Sequence, residues 1–400
     1  MVWQRALGDS HGMPAIDRGR LFVFDRHKDM ARLVCLKSET GEHLWTFETP
    51  TDYEDRLGYG DGPRCSPVVD GDRVYVLGAD GLLVCVSVLD GTEIWRVDYK
   101  RRFGVQQYLF GIGSTPVIEG DLLIALVGGS AGQENDSVNL SVLQGNGTGI
   151  VAFNKYNGRV HYAVSDALAS YASPKFATIG GRRWGFAFAR GRLVGFEPVT
   201  GTIDFEFPWQ AKFNAAVSAA NPVVVGDEVF ITEAYGPGSC LLEVQPGKAE
   251  VIWQDDPELR AKAMKSHWNT PIFHEGYLYG CSGRRSYEAR LRCVDWKTGR
   301  VVWKTRSKGL SSLLYVDGHF LVMGEYGDLD LVRATSEKYT LVARLTLRED
   351  PDDPESAPLL KYPAWSAPVL SRGLLYLRGK DRLVCLDLIP ASTLRSARHP

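Results

Sequence analysis

Along most of the chain, apolar residues fall in short runs with polar positions alternating inside them, and turns rich in Gly or Asp separate the runs. The segments CSPVVDGDRVYVLG (65–78), STPVIEGDLLIALVGG (114–129), ANPVVVGDEVFITE (220–233), NTPIFHEGYLYGCSG (269–283) and SAPVLSRGLLYLRG (366–379) share one plan. Each is a small residue, a Pro, an apolar run, a tight turn and a second apolar run. Such alternation around short Gly or Asp turns predicts antiparallel hairpins. A second plan follows each of these. LVCLKSETGEHLW (33–45), LVCVSVLDGTEIW (83–95) and LRCVDWKTGRVVW (291–303) are a strand, a turn ending in Gly, and a strand with Trp four residues after that Gly. IVAFNKYNGRVHY (150–162) and LVGFEPVTGTIDF (193–205) keep the pattern with Tyr162 and Phe205 in the Trp place, and CLLEVQPGKAEVIW (240–253) is a looser copy.

Pro67 and Pro116 lie 49 residues apart, as do Pro222 and Pro271. Each repeat therefore supplies four strands, and a four-stranded sheet repeated radially is a propeller blade. Repeats begin near residues 14, 67, 116, 174, 222, 271, 312 and 368. The seventh lacks both the Pro and the Trp but keeps the rhythm. The eighth, within 363–390, stops after its third strand, and MVWQRAL at residues 1–7 reads as the missing fourth. The expected fold is all-β: one eight-bladed β-propeller over 1–400, of four-stranded antiparallel blades, with residues 1–8 completing the last blade. Closure of this kind removes exposed sheet edges. Two stretches depart from the repeat. The Gly-rich, polar 128–149 reads as a mobile insertion, and 348–363, with its DPDDPE, reads as a solvated acidic linker rather than a calcium loop.

Composition narrows the partners. Charged residues make up 24% of the chain and the formal net charge is -2, so no basic surface asks for nucleic acid. No apolar stretch is long enough to span a membrane, and no leader pattern opens the chain. A monomer is expected. The seven Cys are odd in number with no CxxC spacing, so no metal site is indicated. Cys35, Cys85, Cys293 and Cys385 hold equivalent strand positions and read as small core residues. Trp3, Trp45, Trp95, Trp253 and Trp303, with Tyr162 and Phe205, read as aromatics that dock one blade on the next.

The Gly-x-x-x-Trp signature after CLD-like strands resembles the tryptophan-docking repeat of the quinoprotein (PQQ-type) propellers, over essentially the whole chain. Two branches matter: the PQQ- and calcium-dependent alcohol dehydrogenases, and the BamB-like assembly lipoproteins and their relatives, which keep the blades without the cofactor. The resemblance implies a periplasmic or cell-envelope location. The residues alone leave the cytoplasm equally open.

Candidate chemistry lies in the loops entering the innermost strands, just before each repeat Pro. They bring Asp61, Arg64, Tyr171, Asn221, His267, Trp268, Asn269, Glu325 and Trp365 to one axial mouth, with Tyr59, Phe110, Asn214 and Tyr362 nearby. No catalytic residue is assigned. His267 suits a general base or metal ligand, or a His bonded to backbone in a tight loop. Arg64 suits a ligand anchor, or an ion pair and carbonyl clamp. The leading expectation is a non-catalytic binding or scaffold propeller taking a protein segment or small ligand at this ring, without a cofactor. The alternative is a PQQ/calcium-dependent alcohol or sugar oxidoreductase with Arg64, Trp268 and Trp365 around the quinone and Asp61, Asn221, Asn269 and Glu325 as oxygen donors. The family's vicinal Cys pair has no counterpart here. A third reading is carbohydrate binding through Tyr171, Trp268 and Trp365.

Overall fold

In the computed structural model, residues 1–131, 143–210 and 217–389 are described. They form eight four-stranded antiparallel sheets, with one short helix at Tyr99–Phe103 between two blades and a single 3-10 turn at Ser286–Glu288. The molecule is an eight-bladed all-β propeller. Within a blade the strands run in chain order from the axis outward, as in Val68–Asp70, Arg73–Leu77, Leu82–Ser87 and Glu93–Asp98. The last sheet is Val369–Ser371, Leu374–Arg378 and Arg382–Asp387, completed by Trp3–Ala6 with Trp3 opposite Cys385.

The second and third strands of each blade carry the core, because both their faces are covered by neighbouring blades. Leu83, Cys85, Leu123, Val151 and Phe153 pack in one inter-blade cluster, and Leu21, Leu36, Tyr376 and Cys385 in another. Each recurring Cys of the repeat sits across the ladder from its own blade's Trp: Cys35 from Trp45, Cys85 from Trp95, Cys293 from Trp303. All seven thiols are buried and free, and burial pushes that of Cys85 up to about 12.

The blade seams share one geometry. Trp3, Trp45, Trp95, Trp253 and Trp303 donate their indole N–H to the backbone carbonyls of Ser38, Val88, Lys155, Trp296 and Thr335 in the following blade, at 2.8–3.0 Å. Tyr162 reaches Pro198 in the same way with its hydroxyl, at 2.7 Å. Four of the five Trp rings, all but that of Trp303, lie flat on a turn Gly of the next blade. At Gly158, with φ 68°, an added Cβ would stand 2.7 Å from the Trp95 ring, so both the conformation and the space require Gly. Phe205 has no donor, but it packs on Trp184 of its own blade and joins a cluster with Val229, Leu242 and Val244 of the next, while the next turn Gly, Gly247, faces open space. In the seventh blade the register puts Ala343 opposite Leu331, so Ala343 occupies the aromatic position.

The two departures from the repeat differ in fate. Of the insertion at 128–149, residues 132–142 lie outside the described residues. Its ends are fixed by the Ser130–Gly145 bridge and by Asn146 Nδ2 donating to the Phe103 carbonyl at 2.9 Å. The stretch 348–363 is only half a solvated linker. Asp350–Pro354 is exposed, but Leu359 and Leu360 are 5% and 0% exposed and plug the core between blades seven and eight. The acidic residues of DPDDPE hid the apolar pair that follows them.

Candidate functional site

The residue before each repeat Pro builds the floor of the axial site. The backbone N–H of Met13 donates to Ser66 Oγ, that of Ser66 to Thr115 Oγ1, and that of Thr115 to Ser173 Oγ. Ser173 N–H then donates to Asn221 Oδ1, and Asn221 N–H to Thr270 Oγ1. These bonds of 2.8–3.2 Å link six successive blades into a collar around the axis. At Ser66, Thr115, Ser173, Asn221 and Thr270 the hydroxyl or amide before Pro thus has a structural role: Pro sets the extended backbone of the position before it, and the side chain accepts from the preceding blade.

Above the collar opens a cavity of about 530 Å³ walled by rings. Consecutive centroids run Tyr171–Phe110 (5.6 Å), Phe110–Tyr59 (5.7 Å), Tyr59–Trp365 (5.7 Å), Trp365–Trp268 (4.7 Å), Trp268–His267 (5.1 Å) and His267–Tyr235 (5.3 Å). His11 joins on Trp365 at 5.0 Å, and Tyr362 at 5.9 Å. The wall is an unbroken aromatic chain contributed by six blades.

Most polar groups of the cavity are already engaged by the protein. Arg64 forms an ion pair with Asp55, both side chains nearly fully buried, and also donates to the carbonyls of Gly60 (2.8 Å), Gly62 (3.1 Å) and Phe110 (3.3 Å). It is a clamp on the loops. Asn269 donates to the Cys281 carbonyl at 2.7 Å and accepts from His267 N–H at 3.1 Å. Glu325, 2% exposed, accepts from Leu310 N–H at 2.8 Å and from Trp365 Nε1 at 3.1 Å. The Tyr171 hydroxyl accepts from Phe110 N–H at 2.7 Å. His267 pairs with the Tyr235 hydroxyl at 3.0 Å instead of with backbone, and burial, helped by Arg284, pulls its pKa down to about 4. Burial, then Arg64, likewise holds His11 well below the usual imidazole range. Both rings are neutral at pH 7. His11 Nδ1, His267 Nδ1 and Trp268 Nε1 are buried without a partner.

Of the nine candidates, the cavity brings together Arg64, Tyr171, Asn221, His267, Trp268, Asn269, Glu325 and Trp365. Asp61 does not line it. Its carboxylate turns back to accept from Asp55 N–H at 2.7 Å and braces the loop that holds Arg64. Asn214 lies outside the described residues. Four lining residues had no signal in the repeat: His11, Tyr235, Arg284 and Arg285. The two arginines come from residues 283–289, a hairpin connection in the sixth blade much longer than the tight turns elsewhere, such as that between Arg20–His27 and Met30–Lys37. Both are exposed, and neither is within ion-pair distance of a carboxylate among the described residues.

Residues 1–160 and 132–305 match the model of the family described as outer membrane protein assembly factor BamB. The chain belongs to the BamB family. No curated protein sequence matches it. Its fold is similar to that of BamB from Moraxella catarrhalis, at 12% identity and a TM-score of 0.64, over 96% of each chain. It is also similar to quinohemoprotein alcohol dehydrogenase from Comamonas testosteroni, at 11% identity and a TM-score of 0.62, over 96% of this chain and 75% of that one. A computationally designed protein, Ika8, matches at 10% identity and a TM-score of 0.56. These likenesses place this BamB-family member among the PQQ-like propellers by fold.

The quinone–calcium alternative raised by the sequence can be tested against the donors present. Calcium takes about six to eight oxygen ligands. Glu325 is the one carboxylate among the described lining residues, and both its oxygens accept N–H bonds. The side-chain oxygens of Asn221 and Asn269 are taken as well, and no cluster of three or more His, Cys, Asp or Glu occurs among the described residues. This donor set does not fit calcium. No helix among the described residues is long and apolar enough to cross a membrane.

Proposed function

We propose that this BamB-family propeller is a non-catalytic binding module whose axial cup takes a segment of a partner protein. The observation that carries the reading is the composition of the cup: a solvent-open cavity walled by Trp, Tyr and Arg, whose buried carboxylate and amides are already held by the fold. Trp, Tyr and Arg are the residues that dominate binding energy at protein interfaces, where fully desolvated aromatic pockets anchor a few side chains of the partner. A cavity of about 530 Å³ is in the range that holds a drug-sized ligand, or a few peptide side chains. The likeness to a BamB structure goes with a protein partner, and a cell-envelope location goes with the same reading.

The test is selection from a displayed random-peptide library on the intact chain and on its Trp268→Ala, Trp365→Ala variant. Sequences enriched on the wild type and lost on the variant support the reading. Equal enrichment on both would sink it. A calcium-dependent rise in melting temperature with PQQ, absent in the variant, would replace it with the oxidoreductase reading.

A further inference from the structure

The rim of the cup is chemically unlike its wall. The connection 283–289 leans Arg284 and Arg285 over the mouth. The Arg284 guanidinium lies 4.4 Å from the centroid of the Tyr235 ring, and Arg285 Nη1 donates to the Tyr287 hydroxyl at 3.1 Å. The backbone holds the two arginines in place: Gly283 N–H donates to the Lys265 carbonyl at 2.8 Å, and Glu288 accepts from Arg284 N–H at 3.2 Å. Neither guanidinium forms an ion pair among the described residues. Within the cavity, Arg64 is neutralised by Asp55, and Glu325 is buried under Trp365 and Leu310. The mouth therefore carries two guanidinium groups outside any ion pair, Arg284 against the face of Tyr235 and Arg285 bonded to the Tyr287 hydroxyl, with Glu288 of the same connection the carboxylate that acts on Arg285.

Stacking on an aromatic face fixes the plane of a guanidinium while leaving its N–H edge free, the arrangement that takes a carboxylate through two parallel bonds. Exposed rings continue beyond the cavity, with Tyr326 44% and Tyr287 62% exposed. A ligand confined to the cavity would leave these two uncovered, whereas an extended chain would cover cavity and rim together.

Resting on the protein-segment reading above, we infer that the cup recognises an acidic polypeptide segment, with aromatic or large apolar side chains entering between Trp268, Trp365 and Tyr59 and flanking carboxylates held by Arg284 and Arg285. The charged rim sets selectivity and association, and the aromatic wall sets affinity.

The probes are a capped hexapeptide alternating aspartate with phenylalanine and its counterpart with asparagine for aspartate, titrated calorimetrically into the intact chain. The acidic peptide is expected to bind at least about tenfold tighter, with affinity falling as salt rises. In the Arg284→Glu, Arg285→Glu variant the preference should vanish, while a melting curve unchanged from wild type shows the fold intact. Equal binding of the two peptides, lost in the Trp268→Ala, Trp365→Ala variant, overturns the acidic specificity and leaves the cup reading standing. Binding that survives loss of both Trp residues, or no binding of either peptide at millimolar concentration, overturns both.

Discussion

Asn221 accepts the backbone N–H of Ser173 at its Oδ1, 2.8 Å away and one blade back. The amide is a link in the axial collar before it is anything to a ligand. Asn221→Ala leaves that N–H unpaired in a partly buried position, at a cost of roughly 1–3 kcal/mol. Urea denaturation should show the loss, while peptide affinity stays within about twofold of wild type.

The Trp95–Gly158 contact gives a prediction from the outer rim. Trp95→Ala removes a buried ring and its bond to Lys155, and should cost about 3–5 kcal/mol. Gly158→Ala reaches the same seam from the other side, forcing a Cβ onto the ring at a positive φ. Both belong in one denaturation series. An unchanged midpoint for Gly158→Ala would show that the ring can move aside.

Asp55 and Arg64 form the buried ion pair under the mouth. Asp55→Asn strands the guanidinium in a buried site and should destabilise by about 3–5 kcal/mol. Replacing both partners by apolar residues should cost less than this single change, because no unpaired charge remains. Comparing the two variants with the wild type by calorimetric melting checks the order.

Glu233 is fully buried, with one oxygen unpartnered and the other 3.4 Å from Ser218 Oγ, and burial pushes its pKa up to about 7. The folded chain then keeps a proton that the unfolded chain releases near pH 4.5. Stability should fall as pH rises from about 4.5 to 7, by about 3 kcal/mol in total, and Glu233→Gln should flatten that slope. His267 acts in the opposite sense. Its pKa is lowered to about 4 by burial, so its contribution is intact above the ordinary imidazole value and is lost as pH falls from about 6.5 to 4. A stability profile of Glu233→Gln should expose a slope to which His267 and His11 both contribute, and Glu233→Gln with His267→Asn should reduce it.

The strands, the blade count and the seam aromatics were legible because a propeller repeats its physics. The same Pro, turn Gly and aromatic recur near every fifty residues, and each recurrence strengthens the others. Ala343 and Phe205 could not be read so directly: the repeat shows which residue stands in the aromatic place but not whether it makes a hydrogen bond or only an apolar contact across the seam. The cup was legible where it hangs on the residues before each Pro, as with Asn221, His267 and Trp268. It was not legible at Arg284, Arg285 and Tyr235, because the loops carrying them lie outside the repeat. Asp61 was misplaced for a related reason. Its position near the mouth follows from the repeat, but its direction depends on a local turn that no period encodes.

The pairing of Trp3–Ala6 with Arg382–Asp387 has a consequence for how the molecule is made. Seven blades can close as soon as their own strands have left the ribosome, each a local event with short loops to order. Trp3–Ala6 must wait, unpaired, until Arg382–Asp387 has been synthesised. During that interval the Trp3 ring and the open side of the first blade are apolar surfaces without a neighbour, the kind that associates with other chains. Vectorial synthesis therefore makes completion of the eighth blade the step at which this nascent chain is most exposed to association with other chains.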